Sequence, residues 1–143
     1  MDRNLTAEEI YGLYIQDPGR FEKMILDDDS SFIKETVSER LKSLMKKHKK
    51  KASEVIGRSL LSKSYFYQVL QGERQPSREA LIRIGIVCDC SAEEIQRLLL
   101  LAGAGVLYTK LRRDAAILLC IDRKMNLYET DEFLSEIGEK GLL

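Results

Sequence analysis

Apolar side chains recur every three or four positions along most of the chain, and this helical spacing is its most constraining feature. The pattern is clear at Ile33, Val37, Leu41 and Leu44. No segment alternates apolar and polar residues with the period of two that a half-buried strand requires. Only two prolines occur among 143 residues, whereas leucine, glutamate and lysine, which favour helices, are abundant. The sequence therefore predicts an all-α fold.

Residues that can cap helices mark where several of these helices begin. Thr6, Ser91 and Asn126 are each followed three residues later by a glutamate, which is the spacing of a capping box. Further helices are predicted over residues 31–48, 52–59, 62–71, 77–88 and 109–124. Gly103-Ala104-Gly105 is the best candidate for a domain boundary. We therefore expect a helical N-terminal extension (1–30), a central domain (31–104) and a C-terminal helical extension (105–143).

The formal net charge is zero, but the charges are distributed unevenly. Residues 1–33 carry a net charge of −5, residues 34–78 carry +8 and residues 79–143 carry −3. The near-neutral total thus conceals a basic middle third. Such asymmetry suggests an anionic partner for that third.

Several classes of protein are disfavoured. No apolar region follows the first residues, so we expect no signal peptide, and the longest apolar run (98–108) is too short to span a bilayer. The number of cysteines is three, an odd number that argues against a disulfide framework and for a reducing cytoplasm.

Catalytic and metal sites are not expected. The chain has no Walker-type phosphate loop, serine nucleophile elbow or His-Glu-x-x-His motif, so we predict that it is not an enzyme and needs no cofactor. Cys88-Asp89-Cys90 lacks a second pair of ligands, and the one histidine, His48, lies within a run of lysines. A closed zinc site is therefore not expected. Together with Cys120, these cysteines are predicted to be small, buried apolar residues.

The segment 52–77 carries most of the functional information. It contains two short helices joined by about three residues, then a turn and a further helix. On the second helix, Phe66, Val69 and Leu70 share one face. The opposite face is polar and free of acid: Lys63, Ser64, Tyr67, Gln68 and Gln71. Amide, hydroxyl and ammonium groups of this kind suit base edges and phosphates, so the pattern is typical of a helix-turn-helix unit.

The run from Ser62 to Ser77 resembles the phage-repressor (Cro/repressor, or xenobiotic-response-element) type of helix-turn-helix domain. The resemblance rests on the serine that opens the second helix, the apolar triad, Gly72 and the Pro76-Ser77 ending. It covers about residues 36–103. It implies a five-helix domain, with short helical extensions here, and a transcriptional regulator that binds double-stranded DNA as a homodimer.

The resemblance also implies roles for individual residues. Lys63, Ser64, Tyr67 and Gln68 fall where the family reads bases. The residues expected to contact phosphates are Lys51, Ser53, Gln71, Arg74 and Ser77. Gln68 is suited to bidentate pairing with adenine, and Lys63 is suited to donate to guanine.

Two interpretations stay open for the basic run Lys46–Lys51. It is either a solvated helix end or a phosphate-contacting patch, and its place before the helix-turn-helix unit favours the patch. The chain also departs from the family pattern at Ala52, Ile56 and Leu60. These departures motivate an alternative function, a protein-interaction adaptor or antitoxin-like protein on the same scaffold, which would have a protein partner.

Overall fold

The structure is a computed structural model in which residues 4–143 are described. Nine helices and no strand lie within these residues, which confirms the all-α prediction. Contacts divide the chain into two compact units, one ending at Lys34 and the other spanning residues 35–143. No helix in the described range is long and apolar enough to cross a bilayer.

The first unit contains α1 (Ala7–Gln16) and α2 (Pro18–Leu26). The Thr6 hydroxyl accepts a hydrogen bond from the backbone N–H of Glu9 at 3.1 Å, so the predicted cap is confirmed. The Asp17 carboxylate caps α2 in the same way. Pro18 occupies the first helical position, where a backbone N–H would have no partner within the helix, so its missing N–H costs nothing. A single turn residue thus separates two helices that pack against each other.

The second unit contains seven helices: α3 (Val37–Lys47), α4 (Ala52–Ser59), α5 (Lys63–Leu70), α6 (Arg78–Val87), α7 (Ala92–Leu101), α8 (Arg112–Asp122) and α9 (Leu127–Glu136). Five of them, α3–α7, fall within residues 36–103. The contacts place the C-terminal pair, α8 and α9, in the same compact unit as these five. The repressor-like arrangement of the five helices and the division at residues 30 and 104 stay predictions.

Two predicted helix starts are wrong. The helix expected from Ser31 begins instead at Val37, because the Thr36 hydroxyl accepts from the Glu39 N–H at 3.1 Å and fixes the start there. Ile33 continues the apolar spacing of α3 but lies outside it, about half exposed. The helix expected from Thr109 begins at Arg112, after a short turn closed by a bond from Leu111 N–H to the Tyr108 carbonyl.

The core of the second unit is centred on α6. Seven of its ten residues are buried: Ala80, Leu81, Ile82, Ile84, Gly85, Ile86 and Val87. This helix packs against α4, α7 and α9. The surrounding helices contribute fully buried side chains, including Leu41, Phe66, Ile95, Ile117 and Leu134. Each such side chain contributes roughly 1.5–3 kcal/mol relative to exposure, so this shell supplies most of the drive to fold.

All three cysteines are buried and unpaired, as the sequence predicted. Burial raises the pKa of the Cys88 thiol and of the Cys90 thiol to about 12. Both thiols are therefore neutral at physiological pH. Cys88 is fully enclosed by the core, whereas Cys90 lies in the turn between α6 and α7, beside polar side chains.

Polar contacts join the C-terminal segment to α6 and α7. The buried Asp114 carboxylate of α8 accepts hydrogen bonds from the Arg78 guanidinium at 2.8 and 3.2 Å, and from the Tyr108 N–H at 2.9 Å. The Gln96 side chain of α7 pairs with both backbone groups of Leu107. Residues 105–111 are thus held to the helices on either side of them.

Replacing Asp114 tests the importance of this ion pair. Burial opposes ionisation of Asp114, but the bonds from Arg78 and from the Tyr108 N–H outweigh it and lower the carboxyl pKa. Asp114→Asn should reduce the free energy of unfolding at pH 7 by about 3 kcal/mol, because the half-buried Arg78 guanidinium loses the counter-charge of a buried carboxylate.

The lowered pKa also fixes the pH dependence. The pairing stabilises the protein above the unfolded carboxyl pKa of about 3.9 and is lost as pH falls through the lower folded value. Urea denaturation at pH 7 and at pH 3 should therefore show a smaller difference between wild type and Asp114→Asn at pH 3. The exposed Asp122 of the same helix supplies the control, Asp122→Asn, and an equal loss there would contradict the prediction.

Replacing one glycine in α6 and one in α4 by alanine should change the free energy of unfolding in opposite directions. A Cβ at Gly85 would lie 2.5 Å from Cγ1 of the buried Ile95, whereas a Cβ at Gly57 meets no atom within 4 Å. Gly85→Ala should cost about 1–3 kcal/mol through overpacking, and Gly57→Ala should gain roughly 0.5–1 kcal/mol through helix propensity. Thermal melts of both variants check this, and a shift of the same sign in both would refute the close packing of α6 on α7.

Candidate nucleic-acid interface

The helices α4 and α5 are joined by a tight turn of three residues. Leu60, at the end of α4, adopts the left-handed conformation with φ 60° and ψ 23°. Ser62 then caps α5 by accepting from the Tyr65 N–H at 3.1 Å. The predicted helices 52–59 and 62–71 are confirmed to within one residue at their ends. Leucine is unusual in this conformation, which favours glycine, so the backbone of the turn is strained at Leu60.

Buried contacts fix the relation of this turn to the core. Val55 of α4 and Phe66 and Val69 of α5 are all almost completely buried. The Arg83 guanidinium of α6 donates through Nε to the Ser59 carbonyl at 3.0 Å. The end of α4 is thus held to α6 by a polar bond as well as by apolar packing.

The outward face of α5 has the polar character that the sequence predicted. Lys63 and Ser64, in its first turn, are exposed, and Tyr67 and Gln68 are half-buried. The Tyr67 ring packs edge-on against Phe66, with 6.1 Å between ring centroids. No acidic residue lies between Lys63 and Gln71. The four predicted base-reading residues therefore lie on one helix that has its apolar face in the core.

Tyr65 links α5 to the loop that follows it. Its hydroxyl accepts from the Ser77 N–H at 3.0 Å, and the Arg74 guanidinium carbon lies 4.9 Å above its ring. Arg74 also lies 3.4 Å from the Gln68 amide oxygen, a long contact that a base or phosphate can replace. Tyr65 is half-buried by this packing and orders the loop that carries Arg74 and Ser77.

Four of the five predicted phosphate-contacting residues lie at helix ends, and the fifth, Arg74, lies in the loop after α5. Lys51 and Ser53 are exposed at the N-terminus of α4, where the helix dipole favours an anion. Gln71 ends α5 and is also exposed. The Ser77 hydroxyl already accepts from the Ala80 N–H at 3.1 Å as the cap of α6, but its own proton remains able to donate.

The basic run Lys46–Lys51 is partly neutralised. The Glu94 carboxylate lies 2.7 Å from the Lys47 ammonium and 2.9 Å from His48 Nε2. The Asp89 carboxylate lies 2.8 Å from the Lys50 ammonium. Burial opposes ionisation of Glu94, but bonds from Lys47, the Ser91 N–H and His48 hold its pKa at about 2. Lys46, Lys49 and Lys51 are exposed, so a phosphate would meet about half of the run.

The structure also shows a cleft that the sequence analysis missed. It has a volume of about 960 Å³ and lies between the end of α3, the middle of α4, the α6–α7 turn and the α8–α9 turn. His48, Cys90 and Glu94 come together at its wall, each with one potential ligand atom within 4.8 Å of the others. His48 is separated from the other two by more than forty residues of sequence, so no local spacing motif signals this cluster.

No protein-family model, curated protein or solved structure matches the chain.

Replacing Leu60 tests the strain in the turn. Leu60→Gly should raise the free energy of unfolding by about 0.5–1 kcal/mol, since the left-handed strain removed exceeds the entropy that glycine adds to the unfolded chain. Leu111→Gly is the matched control, because Leu111 is similarly exposed at a helix start but has φ −93°. It should be destabilised. Equal losses in the two variants, measured by urea denaturation, would show that Leu60 is retained for its packing.

Proposed function

We propose that the protein is a sequence-specific regulator of transcription that binds double-stranded DNA with the helix 62–71 in the major groove. The observation that carries the proposal is the outward face of α5, which presents Lys63, Ser64, Tyr67 and Gln68 with no acid among them. Its opposite face is locked in the core through Phe66 and Val69. A rigid helix with such a face suits the reading of base edges.

The proposed contacts divide into two kinds. Gln68 pairs with adenine and Lys63 donates to guanine, and each good bidentate pair discriminates by about 1–3 kcal/mol. The predicted phosphate-contacting residues set the register on the duplex: Lys51, Ser53, Gln71, Arg74 and Ser77. The function is one of occupancy and involves no catalytic step. As a homodimer, the protein would bind two half-sites about one helical turn apart.

The first experiment is selection of bound duplexes from a random library at near-physiological salt. We expect enrichment of a short motif, and a paired motif would give the half-site spacing. The double variant Lys63→Ala/Gln68→Ala should lose sequence preference while keeping salt-dependent, non-specific binding, because the phosphate contacts remain. Lys110→Ala is the control, since this exposed lysine lies in the loop before α8.

The selection also separates the proposal from its alternative. A preserved motif in the double variant would overturn the assignment of base-reading residues. An absence of binding to any duplex would favour a protein-interaction adaptor or antitoxin-like protein. Large exposed apolar side chains in the second unit, Leu100 and Leu111 among them, give that alternative its support.

A further inference from the structure

The wall of the cleft brings together three side chains of different chemistry. His48 lies at the C-terminal cap of α3, Cys90 lies in the turn before α7, and Glu94 lies in the first turn of α7. Their potential ligand atoms, an imidazole nitrogen, a sulfur and a carboxylate oxygen, all lie within 4.8 Å of one another. His48 ends α3, Glu94 lies within α7 and Cys90 directly precedes the Ser91 cap, so the three side chains start from well-defined backbone positions.

The existing contacts orient two of these groups towards each other. His48 Nε2 is 2.9 Å from one Glu94 oxygen, so these two atoms already face each other within the cluster. The same oxygen accepts from the Ser91 N–H at 2.8 Å, which holds the carboxylate in place. Cys90 is only 6% exposed, and its sulfur completes the group from the side of the core.

We propose that His48, Cys90 and Glu94 form a binding site for a zinc ion, with a fourth coordination position open to the cleft. Zinc binds nitrogen, thiolate sulfur and carboxylate oxygen together, whereas magnesium and calcium take oxygen ligands. Three protein ligands with one open position is an arrangement that zinc adopts. The site is independent of whether the chain binds DNA.

The geometry needs a small adjustment for such an ion. Tetrahedral zinc, with ligand bonds of about 2.0–2.3 Å, places its ligand atoms roughly 3.3–3.8 Å apart. The present spread of up to 4.8 Å therefore closes by about 1 Å, which side-chain rotation supplies. Binding releases the Cys90 thiol proton to solvent, because the thiolate is the ligand.

Lys47 is the group with which the ion competes. Its ammonium lies 2.7 Å from the second Glu94 oxygen, at a place where it repels a divalent cation. The Lys47 side chain is 66% exposed, so it can move into solvent when the ion binds. The Glu94 side chain, by contrast, is only 14% exposed, so the lysine is the partner that moves.

Titration of the reduced, metal-free 143-residue chain with Co²⁺ tests the proposal directly. We expect one ion per chain and a thiolate-to-cobalt charge-transfer absorption, which added Zn²⁺ should abolish by displacing the cobalt. Cys90→Ser should remove the charge-transfer absorption. His48→Ala should weaken binding more than about 100-fold, beyond the effect of losing an outer hydrogen-bond partner.

Two further variants sharpen the result. Lys47→Ala should bind Co²⁺ about two- to fivefold more tightly, since the competing ammonium is gone. Cys88→Ala is the matched control, because this thiol is two residues away but enclosed by the core, and it should leave the absorption unchanged. Circular dichroism and melting of the metal-free variants establish that each is folded, and His48→Ala carries the test if Cys90→Ser is not.

Three outcomes would overturn the proposal. They are an absence of cobalt binding by the wild type, binding that His48→Ala and Cys90→Ser both leave unchanged, and a charge-transfer absorption that depends on Cys88. Loss of zinc binding in these variants with DNA binding intact would leave the proposed function untouched.

Discussion

Burial of α6 is the constraint on which the second unit depends. This helix is apolar almost all round and packs against α4, α7 and α9, so it cannot remain in solvent without its neighbours. Gly85 lets α7 approach closely enough for Ile95 to occupy the space that a Cβ would fill. From the same helix, the Arg83 side chain donates a hydrogen bond to the Ser59 carbonyl, and the Arg78 side chain donates to the Asp114 carboxylate. One helix thus positions the turn before α5 and the segment that leads into α8.

The local signals in the sequence predicted the helices well, because capping is a contact between residues three apart. Ser62, Ser91 and Asn126 all cap the helices expected of them. The start of α3 was missed because Ile33 extends the apolar spacing past the true cap at Thr36. Apolar periodicity shows which face of a helix is buried. It does not show where the helix begins, which depends on a cap side chain that accepts a hydrogen bond from a first-turn N–H.

The candidate site was predictable only in part, for the same reason. The polar face of α5 follows from the periodicity of a single helix. The pairing of Lys47 and His48 with Glu94, and of Lys50 with Asp89, depends on how α3 packs beside the α6–α7 turn and has no local signature. The basic run therefore offers an approaching phosphate fewer unpaired charges than its sequence indicates. Under the proposed function, affinity then rests more on the ends of α4 and α5 than on this run.

Under the proposed function, the hydrogen bond from the Ser77 N–H to the Tyr65 hydroxyl bears on sequence specificity. It joins the first turn of α5 to the cap of α6 across twelve residues, and Arg74 stacks on the same tyrosine ring. A loop held in this way keeps Arg74 and Ser77 in a fixed relation to Lys63 and Gln68. Under the proposed function, the phosphate contacts and the base contacts would then belong to one rigid unit. Because the loop is ordered on folding, DNA binding as proposed would not have to order it, and more of the contact energy would be available to distinguish one sequence from another.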